Sequence, residues 1–367
     1  MTDPRIEKLA SVLVHHSLRL RKGDLFVINS GHSAAPLVTA VYRQALDAGA
    51  HTHVHIGLEG LNEVFFKHAS PQQLRYVSPL ALHEIKTITA QLTIISEENT
   101  KALTHVDPKK MATVSHSHQK LSQIFLNRAA RQQLRWCLTL YPTNAAAQDA
   151  EMSLDEYEAF VYDAAHVTAQ NPLRYWRAMQ RRQEKIKALL DKKKTFHILA
   201  NDTDLTLSTA GRKWISCYGR ENFPDGEIFT GPQETSAEGH IRYSFPVCHG
   251  GREVHDVVLT FAKGRVTKAT ATKGEDFLRS MIDMDKGSQR LGEFAFGTND
   301  GITQFTKNTL FDEKIGGTMH LALGSGYPET GSINKSGLHW DMVCDLRKNG
   351  QVYADDELIF KNGRFLL

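Results

Sequence analysis

The chain is poor in cysteine: four in 367 residues, Cys137, Cys217, Cys248 and Cys344, far apart and with no CxxC pair. That spacing excludes a disulfide framework and a thiolate zinc knuckle, and it fits a reducing cytoplasm. No apolar run approaches the roughly 18–20 residues that a membrane span requires. The opening MTDPRIEKLASVLVHHSLRL lacks a basic stretch followed by an apolar run and a small-residue cleavage site, so no signal peptide is expected. A charge excess is missing too. The 44 basic and 41 acidic residues leave a net +3, which argues against nucleic acid or an anionic membrane as partner. There is no internal repeat. The turn NSGHSAAP at 29–36 departs from GxGxxG, which leaves a dinucleotide site without support.

What remains is an ordinary globular composition, 41% hydrophobic and 23% charged. At roughly 100–200 residues per domain, the length implies two domains. Apolar spacing predicts a helix over 5–20, opening after Thr2-Asp3-Pro4, then a buried strand at Leu25–Ile28. A helix over 34–48 stops at Gly49, and His51–Ile56 reads as the next strand, so the two strands are expected to pair in parallel. Residues 65–190 read as mainly helical, with a short strand at Leu92–Ile95 and a capping box at Ser153 and Glu156. A helix from about Leu173 to Asp191 ends in RRQEKIKALLDKKK, one solvated face and the expected domain boundary. Beyond Lys194 come short strand-like pieces (FHILA, DLTLS, IRYSFPV, DVVLTFAKGRVTKATA), with a hairpin turn expected at Lys263-Gly264. The expected fold is an N-terminal α/β domain over residues 1–192 with a largely parallel sheet. A mixed, mainly antiparallel C-terminal domain is expected over 193–367.

Eighteen histidines are present, most without a chemical role. His51, His53 and His55 alternate on one strand face, about 7 Å apart. With no acidic partner beside them in the sequence they read as polar residues of a half-exposed strand; His116 and His118 are treated in the same way, and His15 and His16 sit on a helix and need no function. The C-terminal blocks differ. His339 and Asp341 in HWD share one face of an extended segment and can grip one ion. Glu293 stands among Leu, Phe and Ala in LGEFAFG, and a carboxylate held there costs several kcal/mol unless paired or metal-bound. Glu227 in NFPDGEIFT invites the same reading, against that of a loop carboxylate facing water. His320 lies in the apolar run GGTMHLALG, where a hydrogen-bonded core histidine is the alternative. With Tyr327, the set is two Glu, one Asp, two His and a Tyr. Carboxylate–imidazole ligation without thiolate suits catalytic Zn²⁺, Co²⁺, Mn²⁺ or Fe²⁺, and five or more ligands suggest a pair of ions.

At NFPDGEIFTGP, LGEFAFGTN, GGTMHLALGSGYPETG and HWDM, in that order, the chain resembles the thermophilic-type metallo-aminopeptidases, the family of aminopeptidase T and aminopeptidase S. The resemblance runs the full length. It implies a peptide-cleaving enzyme with two divalent ions per chain (Zn, Co, Mn or Mg), ligated by Glu227, Glu293, His320, His339 and Asp341. Glu293 is then the bridge, and catalysis falls to Glu293 and Tyr327. It further implies peptide substrates and a cytoplasmic homodimer. Glu329, two residues from Tyr327, is a candidate proton shuttle against the reading of an ordinary loop carboxylate. The 11-residue connection PETGSINKSGL between Tyr327 and His339 is shorter than the family pattern, so substrate range is not carried over.

Two other readings compete. Ring-cleaving dihydroxypyridine dioxygenases resemble this scaffold and hold one Fe²⁺ through two His and an Asp, but that branch has a His where this chain has Glu293, and it lacks the Glu227 carboxylate. A binding protein with a decayed site is disfavoured because all six site residues are present.

Overall fold

The computed structural model describes residues 3–249 and 252–367, so Thr2 ahead of the first helix lies outside the described residues. Contacts divide the chain into two units. The first runs to Leu173 and includes Gly219–Phe223; the second comprises Arg174–Tyr218 and Pro224–Leu367.

In the first unit the helix Pro4–Val12 starts at Asp3, whose carboxylate accepts from the Arg5 N–H, and it continues into a wider turn at Leu13–Ser17. The strands follow the order His51–Gly57, Leu25–Gly31, Ala90–Ile95, Arg135–Leu140 and Asn222–Phe223, each pair parallel. Phe26, Val27 and Ile28 are all buried, as a strand covered on both faces requires. The edge strand His51–Gly57 buries no residue and turns its three histidines to the exposed side. The reading that these histidines lack an acidic neighbour needs one correction: His55 Nε2 lies 3.2 Å from Glu84 Oε2. Ser153 and Glu156 cap the helix Leu154–Ala164 reciprocally, as their spacing implies.

The helix Pro172–Leu190, all but its first two residues, belongs to the second unit. Its buried stripe is Trp176, Met179, Gln183, Ile186 and Leu190, a 3–4 residue spacing with one polar member. Two sheets share one core. An eight-stranded sheet supplies Phe196, Ile198, Leu205 and Leu207, and a five-stranded antiparallel sheet supplies Phe294, Phe296, Met319, Leu321, Leu323, Trp340 and Met342. Trp214 closes the core between them, with ring centroids 5.6 Å from Phe196 and 5.4 Å from Phe294. Lys263 and Gly264 both have positive φ in the tight hairpin between Val258–Ala262 and Arg265–Thr270.

Candidate metal centre

The five-stranded sheet runs in the order His339–Asp345, Thr318–Gly324, Leu291–Gly297, Glu227–Thr230 and Ile215–Cys217. One face meets the core through Trp340, Met342, Met319, Leu321, Leu323, Phe294, Phe296 and Ile228. The period of two therefore sends the alternate residues to the opposite face, and these include His339, Asp341, His320, Ala322, Glu293 and Glu227. In register, Glu293 and Asp341 both pair with Ala322, His339 pairs with Gly324, and Glu227 pairs with Gly297.

Glu293 reaches this face because of a bulge. Leu291 pairs with Leu323, yet Glu293 pairs with Ala322, so Gly292 is an extra residue in its strand. Without that slip, Glu293 would share the core side with Leu291. Only glycine fits there, since a Cβ on Gly292 would sit 2.3 Å from the Gly324 carbonyl oxygen.

The two oxygens of Glu293 face different partners. Oε1 lies 3.3 Å from His320 Nε2, which is itself 3.6 Å from Glu227 Oε2. Oε2 lies 3.5 Å from His339 Nε2, which is 3.4 Å from Asp341 Oδ2. Accordingly Glu227–Glu293–His320 and Glu293–His339–Asp341 form two groups with metal-ligand spacing that share Glu293. His339 Nδ1 lies 2.7 Å from the Ser325 carbonyl oxygen, which can only accept. Nδ1 therefore carries a proton, and Nε2, which faces the carboxylates, is the nitrogen a metal ion would take once it displaced the second proton.

Burial defines the electrostatics. Glu227 is 6%, Glu293 4% and His320 1% exposed. Glu227 Oε2, Asp341 Oδ1 and His320 Nδ1 are buried yet make no hydrogen bond, although buried polar atoms are normally satisfied. Burial pushes the carboxyls of Glu227 and Glu293 above the usual carboxylate range. For Asp341, burial is outweighed by the adjacent His339, and its carboxyl is held low. Burial opposes charge on the two imidazoles, but the surrounding carboxylates win and lift His320 to about 9 and His339 to about 10. Acid-rich, proton-hungry and unsatisfied, this donor set fits divalent cations, which would replace the protons the cluster otherwise retains.

Tyr327 stands at the rim, 40% exposed, its ring edge-on to His339 at 5.3 Å and to Phe229 at 5.1 Å. Burial of the hydroxyl end and the nearby carboxylates raise its pKa, so the phenol stays protonated. Glu329 lies exposed on the turn Pro328–Thr330 and belongs to none of the groups with ligand spacing among the described residues.

Three contributors escape the sequence reading. Glu313 has ligand spacing with His320 and Asp341. Lys314, fully buried, ion-pairs with Glu313 and lies 3.9 Å from Glu227 Oε1. The readable signal was a charged run, Asp312-Glu313-Lys314, between Phe311 and Ile315. Gln183 places Nε2 2.8 Å from the Cys217 carbonyl, 3.2 Å from the Glu227 carbonyl and 3.0 Å from Thr298 Oγ1, thereby pinning the Glu227 strand. A glutamine on an otherwise apolar helix stripe was its signal.

With this geometry in hand, the similarity to known proteins is extensive. The thermophilic metalloprotease (M29) family matches residues 2–365. Aminopeptidase 2 of Geobacillus stearothermophilus is 26% identical over 408 residues, covering 99% of this chain and 98% of that one. Aminopeptidase T of Thermus thermophilus is 27% identical over 354 residues, covering 88% and 85%. The structure of wild-type AmpT from Thermus thermophilus superposes with a TM-score of 0.87 at 24% identity, covering 99% of both chains. That likeness shows the fold: an N-terminal parallel sheet with helices, then a mostly antiparallel C-terminal part. The 2,5-dihydroxypyridine dioxygenase of Pseudomonas putida follows at a TM-score of 0.58 and 13% identity, covering 99% and 96%. No described helix is long and apolar enough to cross a membrane. Matched along almost its whole length, the chain belongs to the thermophilic metalloprotease (M29) family and is a metal-dependent hydrolase of peptide bonds.

Proposed function

We propose that the protein is an aminopeptidase that releases N-terminal residues from peptides. In this reading it holds two divalent ions per chain on Glu227, Glu293, His320, His339 and Asp341. The observation that carries the proposal is the pair of Glu293 oxygens, one turned to His320 and the other to His339. One open catalytic ion needs about three protein ligands, and more than that converge here. The naming of its relatives as aminopeptidases over nearly their whole length supports the reaction and the peptide substrates. When bound, the ions supply an activated water and a Lewis acid for the scissile carbonyl. The ligands accept Zn, Co, Mn or Mg.

The chain's own residues do the rest. Glu293 fixes the spacing of the two groups through its bulged strand. Tyr327 retains its proton and donates a hydrogen bond to the oxyanion that develops on the attacked carbonyl. A carboxylate of the same cluster holds the peptide's α-amino group, which confines cleavage to the first residue. The proposal includes a cytoplasmic homodimer. Sparse cysteine supports the compartment. Exposed Leu58, Leu61, Val64 and Phe65, the last three on a helix that buries no residue, support an interface.

The test is elemental analysis of the purified protein with turnover of aminoacyl-anilides before and after chelation, then re-addition of Zn²⁺, Co²⁺ or Mn²⁺. About two ions per chain, with chelator-sensitive release of the N-terminal residue, is the expected result. One iron per chain, no peptidase activity and oxygen uptake on a dihydroxypyridine would replace the proposal with the dioxygenase reading. Against that reading stand Glu227 and Glu293, two carboxylates beyond a two-His-one-carboxylate triad.

A further inference from the structure

We infer that Lys314 makes the two metal positions unequal, so that the ion on the Glu227–His320 side is weakly held and exchangeable while the ion on the His339–Asp341 side is tight. The inference rests on the two-ion reading above.

Lys314 is fully buried, and its ammonium pairs with Glu313 and lies 3.9 Å from Glu227 Oε1. A flexible lysine stem normally lets the charge reach water; here the backbone forbids that. The Lys314 N–H donates to the Phe311 carbonyl, its own carbonyl accepts from Asn299 N–H, and Ile315 bridges to Asn299. This segment crosses directly over Gly297, where a Cβ would lie 2.1 Å from the Ile315 oxygen. Gly297 is also the cross-strand partner of Glu227. The missing side chain thus brings a permanent cation against one ligand group.

A divalent ion at Glu227 and His320 must share the Glu227 carboxylate with that ammonium and sit beside a like charge. On the other side the competition is weaker: Lys314 is the second influence on the Glu227 carboxyl, after burial, but for Asp341 it comes behind His339 and His320. Among the described residues, the ion pairs of Glu293 and Asp341 are with histidines, not with lysine or arginine. Like charges a few ångströms apart in a poorly solvated site repel, and with Glu313 offsetting part of the ammonium charge the two affinities should differ by at least about tenfold.

The metal-free protein, titrated with Co²⁺ by calorimetry and visible absorption, tests this without reference to activity. Two classes of site are expected, the tight one lost in Asp341→Asn and the weak one lost in Glu227→Gln. Lys314→Met should tighten only the weak class, by at least about tenfold, whereas Lys314→Arg, which keeps the charge, should preserve the gap. Should Lys314→Met fail to fold, the wild-type titration and the Lys314→Arg and ligand variants still decide. Two ions of equal affinity in the wild type, or a weak class that is unchanged or weakened in Lys314→Met, would overturn the inference and leave the two-ion reading standing. A single ion at saturation in both wild type and Lys314→Met would overturn the two-ion reading and the inference with it.

Discussion

Glu293 and Asp341 face each other across Ala322: both are its register partners, one on each neighbouring strand. Their backbones are therefore two strand spacings apart, about 9.6 Å. Two carboxylates can lean toward a common point over that span only if the residue between them is small. The sheet, rather than any loop, fixes the distances of the centre. The apolar face beneath it, from Phe294 to Met342, fixes the sheet.

Enlarging the floor should evict the metal before it unfolds the protein. Ala322→Leu places three extra carbons between the two carboxylates, at an overpacking cost of about 1–3 kcal/mol. The expected outcome is near-complete loss of bound metal, with far-ultraviolet circular dichroism unchanged. Normal metal content in this variant would show that the ligands do not converge above Ala322.

Glu293→Gln removes the shared charge and little volume. Peptidase activity should fall at least about 1,000-fold and metal content should drop at both groups, while the fold persists because the core face of the strand is untouched. Wild-type turnover of aminoacyl-anilides by Glu293→Gln would rule out the bridging role.

How far the site could be read from sequence depends on which physical signal each residue leaves. His339 and Asp341 announce themselves because a period of two is local. Glu293 is suspicious because an acid among Leu, Phe and Ala is expensive, but its facing cannot be read: the bulge at Gly292 appears only when Leu291 and Phe294 are both found in the core. Glu227 reads as a loop residue from its Pro-Asp-Gly neighbours, yet it opens a buried strand that long-range pairing with Gly297 creates. Lys314 and Glu313 stayed hidden because a charged run is usually solvated. What buries theirs is the path of the backbone over a glycine of another strand, a contact with no local trace. The elements themselves were legible wherever periodicity was strong, as in Leu25–Gly31 and Pro172–Leu190.

The alternating histidines give a negative control. His51, His53 and His55 stand on an exposed edge strand of the other unit, and none belongs to a group with ligand spacing among the described residues. Replacing all three with Ala should leave bound metal per chain unchanged by elemental analysis. A lost ion would reveal a centre on that strand.

Tyr327 is held by ring contacts with His339 and Phe229, and those contacts survive removal of the hydroxyl. Tyr327→Phe should therefore lower kcat by about 100-fold, the usual cost of one oxyanion donor, with KM and metal content nearly constant. A large KM effect with kcat preserved would assign the hydroxyl to substrate binding instead.

The short Tyr327–His339 connection is anchored from outside, and its anchor has a pH signature. Glu234 accepts from the Ile333 N–H at 2.9 Å, lies 3.4 Å from Ser332 Oγ, and pairs with Arg212, both side chains being mostly buried. Burial pushes its carboxyl up, but the Ile333 hydrogen bond and the Arg212 charge outweigh burial and hold it below its ordinary range. A carboxyl depressed in the folded state stabilises above its unfolded pKa, and that contribution fades as pH falls through the folded value. Glu234→Gln keeps the size and one acceptor but leaves Arg212 without its counter-charge, so it should cost about 1–3 kcal/mol at pH 7. As pH falls below the ordinary glutamate range and through the depressed folded value, the wild-type carboxyl becomes neutral as well, and the two denaturation curves should draw together. Equal stability of the two proteins at pH 7, or a gap that widens in acid, would mean that the connection is held instead by Asn334, whose amide donates to the Gly324 and Gly287 carbonyls, and by Asp285, which accepts from Ser336 Oγ and the Gly337 N–H.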